Sequence, residues 1–184
     1  STKMPQFFLQ YEHLTEEEDQ EELHESLRFE PIEILALSKF LLNNSVEFEY
    51  LEQPREVTEQ ASAERGRWLF ESRGCLACHS HGEFPEIKAD QGPDLTGIAG
   101  KLDNAKGRKW LYSWIKQPHR YHLRTKMPVL FLDPIAEVGE DGKPTGAVTD
   151  PADDIVEYLL SVKSDWQAEG VPGQELTAEQ ADAL

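Results

Sequence analysis

Cys75-Leu76-Ala77-Cys78-His79 gathers both cysteines of a 184-residue chain into five positions, with a histidine directly after the second. Two thiols at this spacing reach the two vinyl groups of one porphyrin, and the next residue offers an imidazole to its iron. The pentad therefore reads as a covalent c-type haem attachment site, one haem per chain. Two other readings compete. A thioredoxin-like redox pair also uses Cys-x-x-Cys, but in a βαβ setting with a strand just upstream. Residues 63–71 instead hold helix formers around Trp68, Leu69 and Phe70, without strand-like alternation. A zinc site would draw on Cys75, Cys78, His79 and His81, yet the dozen residues that separate ligand pairs in zinc fingers are missing. The spacing favours haem.

An iron held by His79 takes a second axial ligand or keeps an open position. Met127 is the candidate, in Thr125-Lys126-Met127-Pro128; the chain's other methionine is Met4. A thioether is a soft, neutral donor that raises the potential and leaves no vacancy for substrate. Core filling is the ordinary role of a lone methionine, but Pro128 and the polar approach favour a loop. Just upstream, Trp110, Leu111, Trp114 and Ile115 recur on one face, which predicts a helix over 109–116 that Pro118 ends.

Four separate stretches, taken in order, make the chain resemble a class I cytochrome c of the mitochondrial-like branch. Gly66-x-x-x-Phe70 is similar to that family's first helix, where the glycine admits a close helix crossing. Asp153-Asp154-Ile155-Val156-Glu157-Tyr158-Leu159 is similar to the final helix that makes the crossing, with Ile155 and Tyr158 as contacts. Gly92-Pro93-Asp94-Leu95-Thr96-Gly97 matches the Gly-Pro-x-Leu loop, and Leu111-x-x-Trp114-x-x-x-Pro118-x-x-Tyr121-x-x-x-Thr125-Lys126-Met127 matches the helix and methionine loop. The resemblance implies an all-α helical fold around one covalent haem c, bound through Cys75 and Cys78. It implies His79 and Met127 as the metal ligands. The Pro93 carbonyl would accept the His79 Nδ1–H and Leu95 would lie on the haem. Thr125 would lend its hydroxyl near a propionate, Trp114 would replace an aromatic hydroxyl donor, and Tyr121 belongs to the same matching run. It also implies an extracytoplasmic, periplasmic-type location. Leu123-Arg124 departs from the Pro-Gly usual before the Thr-Lys-Met. Residues 129–151 form a longer insert than usual, and Gly139-Glu140-Asp141-Gly142-Lys143-Pro144 predicts a small β-hairpin there.

Internal repetition sets the expected domain organisation. Thr2-Lys3-Met4-Pro5 repeats Thr125-Lys126-Met127-Pro128. Phe29-Glu30-Pro31 with the apolar run to Leu42 echoes Thr149-Asp150-Pro151 with the run to Leu160, so that Phe40-Leu41-Leu42 stands where Tyr158-Leu159-Leu160 stands. Glu175-Leu176-Thr177-Ala178-Glu179-Gln180 echoes Glu56-Val57-Thr58-Glu59-Gln60. Residues 1–50 then read as the back half of a preceding cytochrome-like domain without an attachment motif. Residues 51–62 read as a linker, 63–162 as a complete domain, and 163–184 as a linker and the start of a following repeat. Met4 reads as a vestige of the repeat, a loose residue or a ligand to a haem on another chain, with the loose residue favoured. The apolar face of Ile34, Leu35, Leu37, Leu41 and Leu42 is expected to dock on the complete domain or pair with a neighbour, a route to a homo-oligomer.

Charge divides the chain in three. Residues 1–63 hold four Lys+Arg against fifteen Asp+Glu, residues 64–128 twelve against seven, and residues 129–184 two against thirteen. The basic middle suggests a cationic collar, which bears on the choice of partner. So acidic a chain is a poor nucleic-acid binder. No run of eighteen apolar residues exists, so no segment spans a bilayer, and no charged-then-apolar leader precedes a cleavage site. The expected role is electron transfer to a redox protein or neighbouring cytochrome domain, without catalysis. The alternative is a haem enzyme or ligand sensor with a displaceable sixth ligand, for which His81, His119 and His122 are nearby distal groups.

Overall fold

A computed structural model describes residues 20–163 and residue 165. Met4, the Thr2–Pro5 and Glu175–Gln180 repeat segments and most of 163–184 lie outside the described residues. The chain divides into two units, Glu49–Glu169 and a second formed by Ser1–Phe48 with Gly170–Leu184. The described part is mostly helical: α1 (Gln20–Asn43), α2 (Ala63–Ser72), α3 (Ile98–Leu102), α4 (Ala105–Lys116) and α5 (Pro151–Ser161) are joined by one antiparallel hairpin.

Helix α2 starts where the Ser62 hydroxyl accepts the Arg65 N–H, a side-chain cap that satisfies one of the free donors of the first turn. Helix α5 starts in the same way on Asp150, which caps Ala152 N–H while Pro151 supplies a preset first-turn φ. These two helices make the main crossing of the larger unit. Gly66 is buried at the contact, where an added Cβ would lie 2.8 Å from Tyr158 Cβ and would strike the Asp154 carbonyl. Around it Leu69, Phe70, Ile155, Val156, Tyr158 and Leu159 form a core that Leu111, Tyr112 and Ile115 of α4 extend.

Polar groups pin the crossing. Asp154 is 1% exposed, and its carboxylate accepts the Ser62 N–H at 2.7 Å and two Arg65 N–H groups at 3.0 and 2.9 Å. A buried carboxylate without such donors would be strongly unfavourable. Asp150 is likewise buried, accepting the Tyr112 hydroxyl at 2.6 Å. Segment 51–62, read from the sequence as a linker, lies against its own unit. Leu51 N–H donates to Ser113 Oγ at 2.8 Å, and Thr58 N–H donates to the Val148 carbonyl at 3.0 Å. Extended backbone beside a core must place its polar groups somewhere, and here α4 and the hairpin take them.

The hairpin falls inside the insert. β1 (Ile135–Val138) pairs with β2 (Pro144–Thr149), Ile135 opposite Thr149, with an irregularity between Ala136 and Val138. Gly142 carries φ 75° in the turn, a left-handed value that glycine adopts without penalty.

Helix α4 begins earlier than residue 109, because Asn104 caps Gly107 N–H and commits the chain to helix from Ala105. Helix α1 differs from α5, the helix whose sequence it echoes. Pro151 opens α5, whereas Pro31 lies within α1. Glu30 is a poor cap and the residues from Gln20 are good helix formers, so the helix continues upstream at the loss of one hydrogen bond. On α1, Leu37, Phe40, Leu41 and Leu42 are exposed.

Replacing Gly66 with Ala tests the crossing. The methyl group has no room, so G66A is expected to destabilise by at least the roughly 1–3 kcal/mol of overpacking. That outweighs the ~1 kcal/mol that alanine gains over glycine within a helix. The urea unfolding midpoint measures it, and an unchanged or raised midpoint would count against a close crossing.

Candidate functional site

The pentad leaves α2 through Gly74, whose φ of 85° turns the chain left-handed, and enters a 3-10 turn over Cys75–Ala77. The Cys75 carbonyl accepts N–H groups from both Cys78, at 3.2 Å, and His79, at 3.0 Å. This tight turn holds both thiols on one short stretch. They are free and half-buried. Burial pushes the Cys75 thiol up to about 11, keeping it neutral near neutral pH. Reactive dithiol pairs need the opposite shift, toward the thiolate. The environment of Cys75 thus disfavours the redox-pair reading.

His79 has its Nδ1 2.8 Å from the Pro93 carbonyl. A carbonyl only accepts, so Nδ1 carries the proton and Nε2 is left as the lone-pair donor. Gly92 makes room for the ring: a Cβ there would stand 2.6 Å from Nδ1. Two stretches, 78–82 and 92–96, are laced together to hold Pro93 in place. Gly92 N–H donates to the Cys78 carbonyl at 2.7 Å and Leu95 N–H to the Ser80 carbonyl at 3.0 Å. The Ser80 hydroxyl donates to Asp94 at 2.6 Å, Thr96 N–H donates to Asp94 at 2.9 Å, and Gly82 N–H donates to Thr96 Oγ1 at 2.8 Å. The Ser80 and Thr96 hydrogen bonds hold the Asp94 carboxyl below its ordinary range. Sequence reasoning did not single out Ser80, Asp94 or Thr96. Asp94 and Thr96 are turn-forming residues beside Pro93, the one local signal available, whereas Ser80 is joined to them only by folding.

Met127 sits half-buried in the loop after α4 and packs on the core to which Cys75, Leu76 and Leu95 also belong. Its Sδ accepts the Trp114 indole N–H at 3.0 Å. The Thr125 hydroxyl accepts the Met127 N–H at 3.2 Å, an internal loop contact. Tyr121 packs on Trp110 and Trp114, with ring centroids 5.4 and 5.3 Å away. Leu76, Ile87, Ile98, Leu102 and Leu130 are partly buried apolar neighbours of the same core.

The three histidines named as possible distal groups are scattered. The His81 ring is buried among Phe70, Phe84 and Tyr158, with centroids 5.6, 6.1 and 5.6 Å away. Its Nδ1 accepts the Glu83 N–H at 3.3 Å, and burial lowers its pKa, so it is neutral. His119 and His122 are exposed. Among the described residues no three His, Cys, Asp or Glu side chains converge as metal ligands, and the zinc reading finds no donor set. The basic middle of the chain is partly neutralised by α5. Arg65 pairs with Asp154, and Arg108 with Asp153 and Glu157 at 2.8 and 2.6 Å. Arg124 and Lys126 stand exposed beside Met127.

A haem c fits this donor set. The cradle at Gly92 positions an imidazole whose Nε2 is the free lone pair, a thioether is held by one hydrogen bond with its other lone pair unused, and two thiols share one turn. Among known proteins, no family model matches the chain, and no curated protein matches it. Among solved structures it is similar to SoxXA from P. pantotrophus, at 18% identity and a TM-score of 0.42, over 62% of this chain and 95% of that one. A likeness of that size carries no argument about chemistry. Among the described residues no helix is long and apolar enough to cross a membrane.

Asp94 supplies a pH test of the loop. Its folded pKa is depressed below 3.8, so its contribution to stability is full above that value and is lost as pH falls through the folded pKa. Asp94→Asn is expected to be less stable than the parent at pH 7 and to converge with it under strong acid. Unfolding midpoints measured across pH check this; a constant gap would assign the loss to something other than ionisation.

Proposed function

We propose that the unit Glu49–Glu169 is a class I cytochrome c-type domain that carries one haem c and passes single electrons. Cys75 and Cys78 would tether the group, and His79 and Met127 would supply the axial nitrogen and sulfur. When bound, the group supplies one-electron iron chemistry. The observation that carries the reading is the His79–Pro93 contact at 2.8 Å, because it fixes the tautomer that leaves Nε2 free to bind metal. The close α2–α5 crossing and the Trp114–Met127 hydrogen bond support it further.

Under this reading each residue has a bounded task. The Ser80–Asp94–Thr96 lacing keeps the Pro93 carbonyl aimed at His79. The Trp114 N–H would hold the Met127 thioether in place, occupying one lone pair and leaving the other for the metal. With His79 and Met127 both holding the iron, no metal position would be left for substrate, so the protein would act as a carrier and not an enzyme. Arg124 and Lys126 beside the methionine would face an acidic redox partner or a neighbouring cytochrome domain. Covalent haem attachment would be carried out outside the cytoplasm, as in the family the chain resembles, which supports an extracytoplasmic location.

Intact-mass measurement after maturation is expected to show one covalently added haem. The oxidised spectrum is expected to show a band near its red end that reduction abolishes, the sign of a methionine–iron bond. Met127→Ala should lose that band, lower the potential and open the iron to carbon monoxide; His79→Ala should impair haem binding altogether. A colourless matured chain, or a Met127→Ala spectrum identical to the parent, overturns the proposal.

A further inference from the structure

Trp114 presents its N–H to Met127, but nothing on its own backbone determines how the indole is turned. An indole nitrogen can only donate, and it does so along one direction in the ring plane. A modest rotation of the ring about its side-chain bonds would carry the donor off the sulfur. What stands against such rotation is aromatic packing. Trp110, one helical turn earlier on α4, lies nearly parallel to Trp114, with ring centroids 5.4 Å apart and planes 12° apart. Tyr121 closes the group, tilted at 52° to Trp110 and 43° to Trp114. Its hydroxyl donates to the Trp110 carbonyl at 3.4 Å, tying the loop that leads to Met127 back to α4. Each ring thus touches the other two, and Trp114 Nε1 reaches from the group to Met127 Sδ at 3.0 Å.

We propose that Trp110 is a positioning residue: stacked on Trp114, it holds the indole N–H on Met127 Sδ and so sets how readily that sulfur gives way as a metal ligand. The inference rests on Met127 being an axial ligand, as argued above. It goes further in assigning a role to a residue outside the donor set. The helix period supplies the mechanism. Residues four apart share a face of α4, so the ring at 110 supports the ring at 114 whatever the loop does. The stack resists the rotation that would free the thioether.

The test uses the haem-loaded full chain and titrates imidazole into the oxidised protein, following loss of the red-end band, with the reduction potential measured in parallel. Trp114→Phe deletes the N–H, and Trp110→Leu deletes the stack. Both are expected to lower the imidazole needed to displace Met127 by roughly two- to tenfold, the worth of one hydrogen bond. The double variant is expected to go no further than Trp114→Phe alone, since both act through one bond. Trp110→Phe keeps an aromatic face and should restore the parent behaviour, which a purely space-filling role would not require. If Trp110→Leu does not load haem, Trp110→Met, which retains more volume, replaces it. Parent-like displacement and potential in the Leu or Met variant, or additive effects in the double variant, overturn the proposal. Failure of the underlying reading looks different: Met127→Ala would then leave the red-end spectrum unchanged, whatever stands at residue 110.

Discussion

The larger unit depends on how closely α2 and α5 approach at Gly66. The missing side chain lets the α5 backbone come into contact, and the contact lets Phe70, Ile155, Tyr158 and Leu159 exclude water together. Burying each such side chain fully is worth roughly 1.5–3 kcal/mol, so the crossing supplies a large share of a marginal stability. Asp154 makes the approach directional. Its carboxylate is deeply buried and can be satisfied only when Ser62 and Arg65 lie directly across it. Apolar packing brings the helices together, and this one charge decides their register.

The site hangs from that crossing on two loops, each stiffened by a different means. On the histidine side the stiffness is polar, through the side chains of Ser80, Asp94 and Thr96 lacing the chain on either side of Pro93. On the methionine side it is aromatic, through three rings and one indole N–H. In the proposed role both would matter, because ligands that stay in place between oxidation states keep the reorganisation of each electron transfer small. The charge pattern is likewise reshaped by folding. Arg65, Arg108 and Lys116 of the middle segment pair with α5 and its cap Asp150, while Arg124 and Lys126 of the methionine loop stay exposed.

Much of the fold was legible because its signals are local. The hairpin followed from glycines and polar residues between short apolar runs, and α4 followed from an apolar face one turn apart. Boundaries were less legible where a cap competed with a pattern: capped by Asn104, α4 starts at Ala105, four residues before the start at Lys109 that the apolar face suggested. Pro31 misleads for a related reason. Its sequence neighbourhood matches Pro151, but only Asp150 provides a cap, so one proline opens a helix and the other sits inside one. Segment 51–62 looked like a linker because its partners, Ser113 and Val148, are far along the chain.

The amino-acid order by itself determined which atoms are available for chemistry: two thiols and an imidazole in one pentad, and one thioether in a loop closed by Pro128. Such groups are read from identity and spacing, which folding does not alter. Only the tertiary structure decided how those atoms are oriented. Whether His79 meets Pro93, whether Trp114 meets Met127, and whether His81 faces a site or sinks among Phe70, Phe84 and Tyr158 are choices between partners separated in sequence. Close packing makes those choices, because a side chain in a filled interior has one place to go.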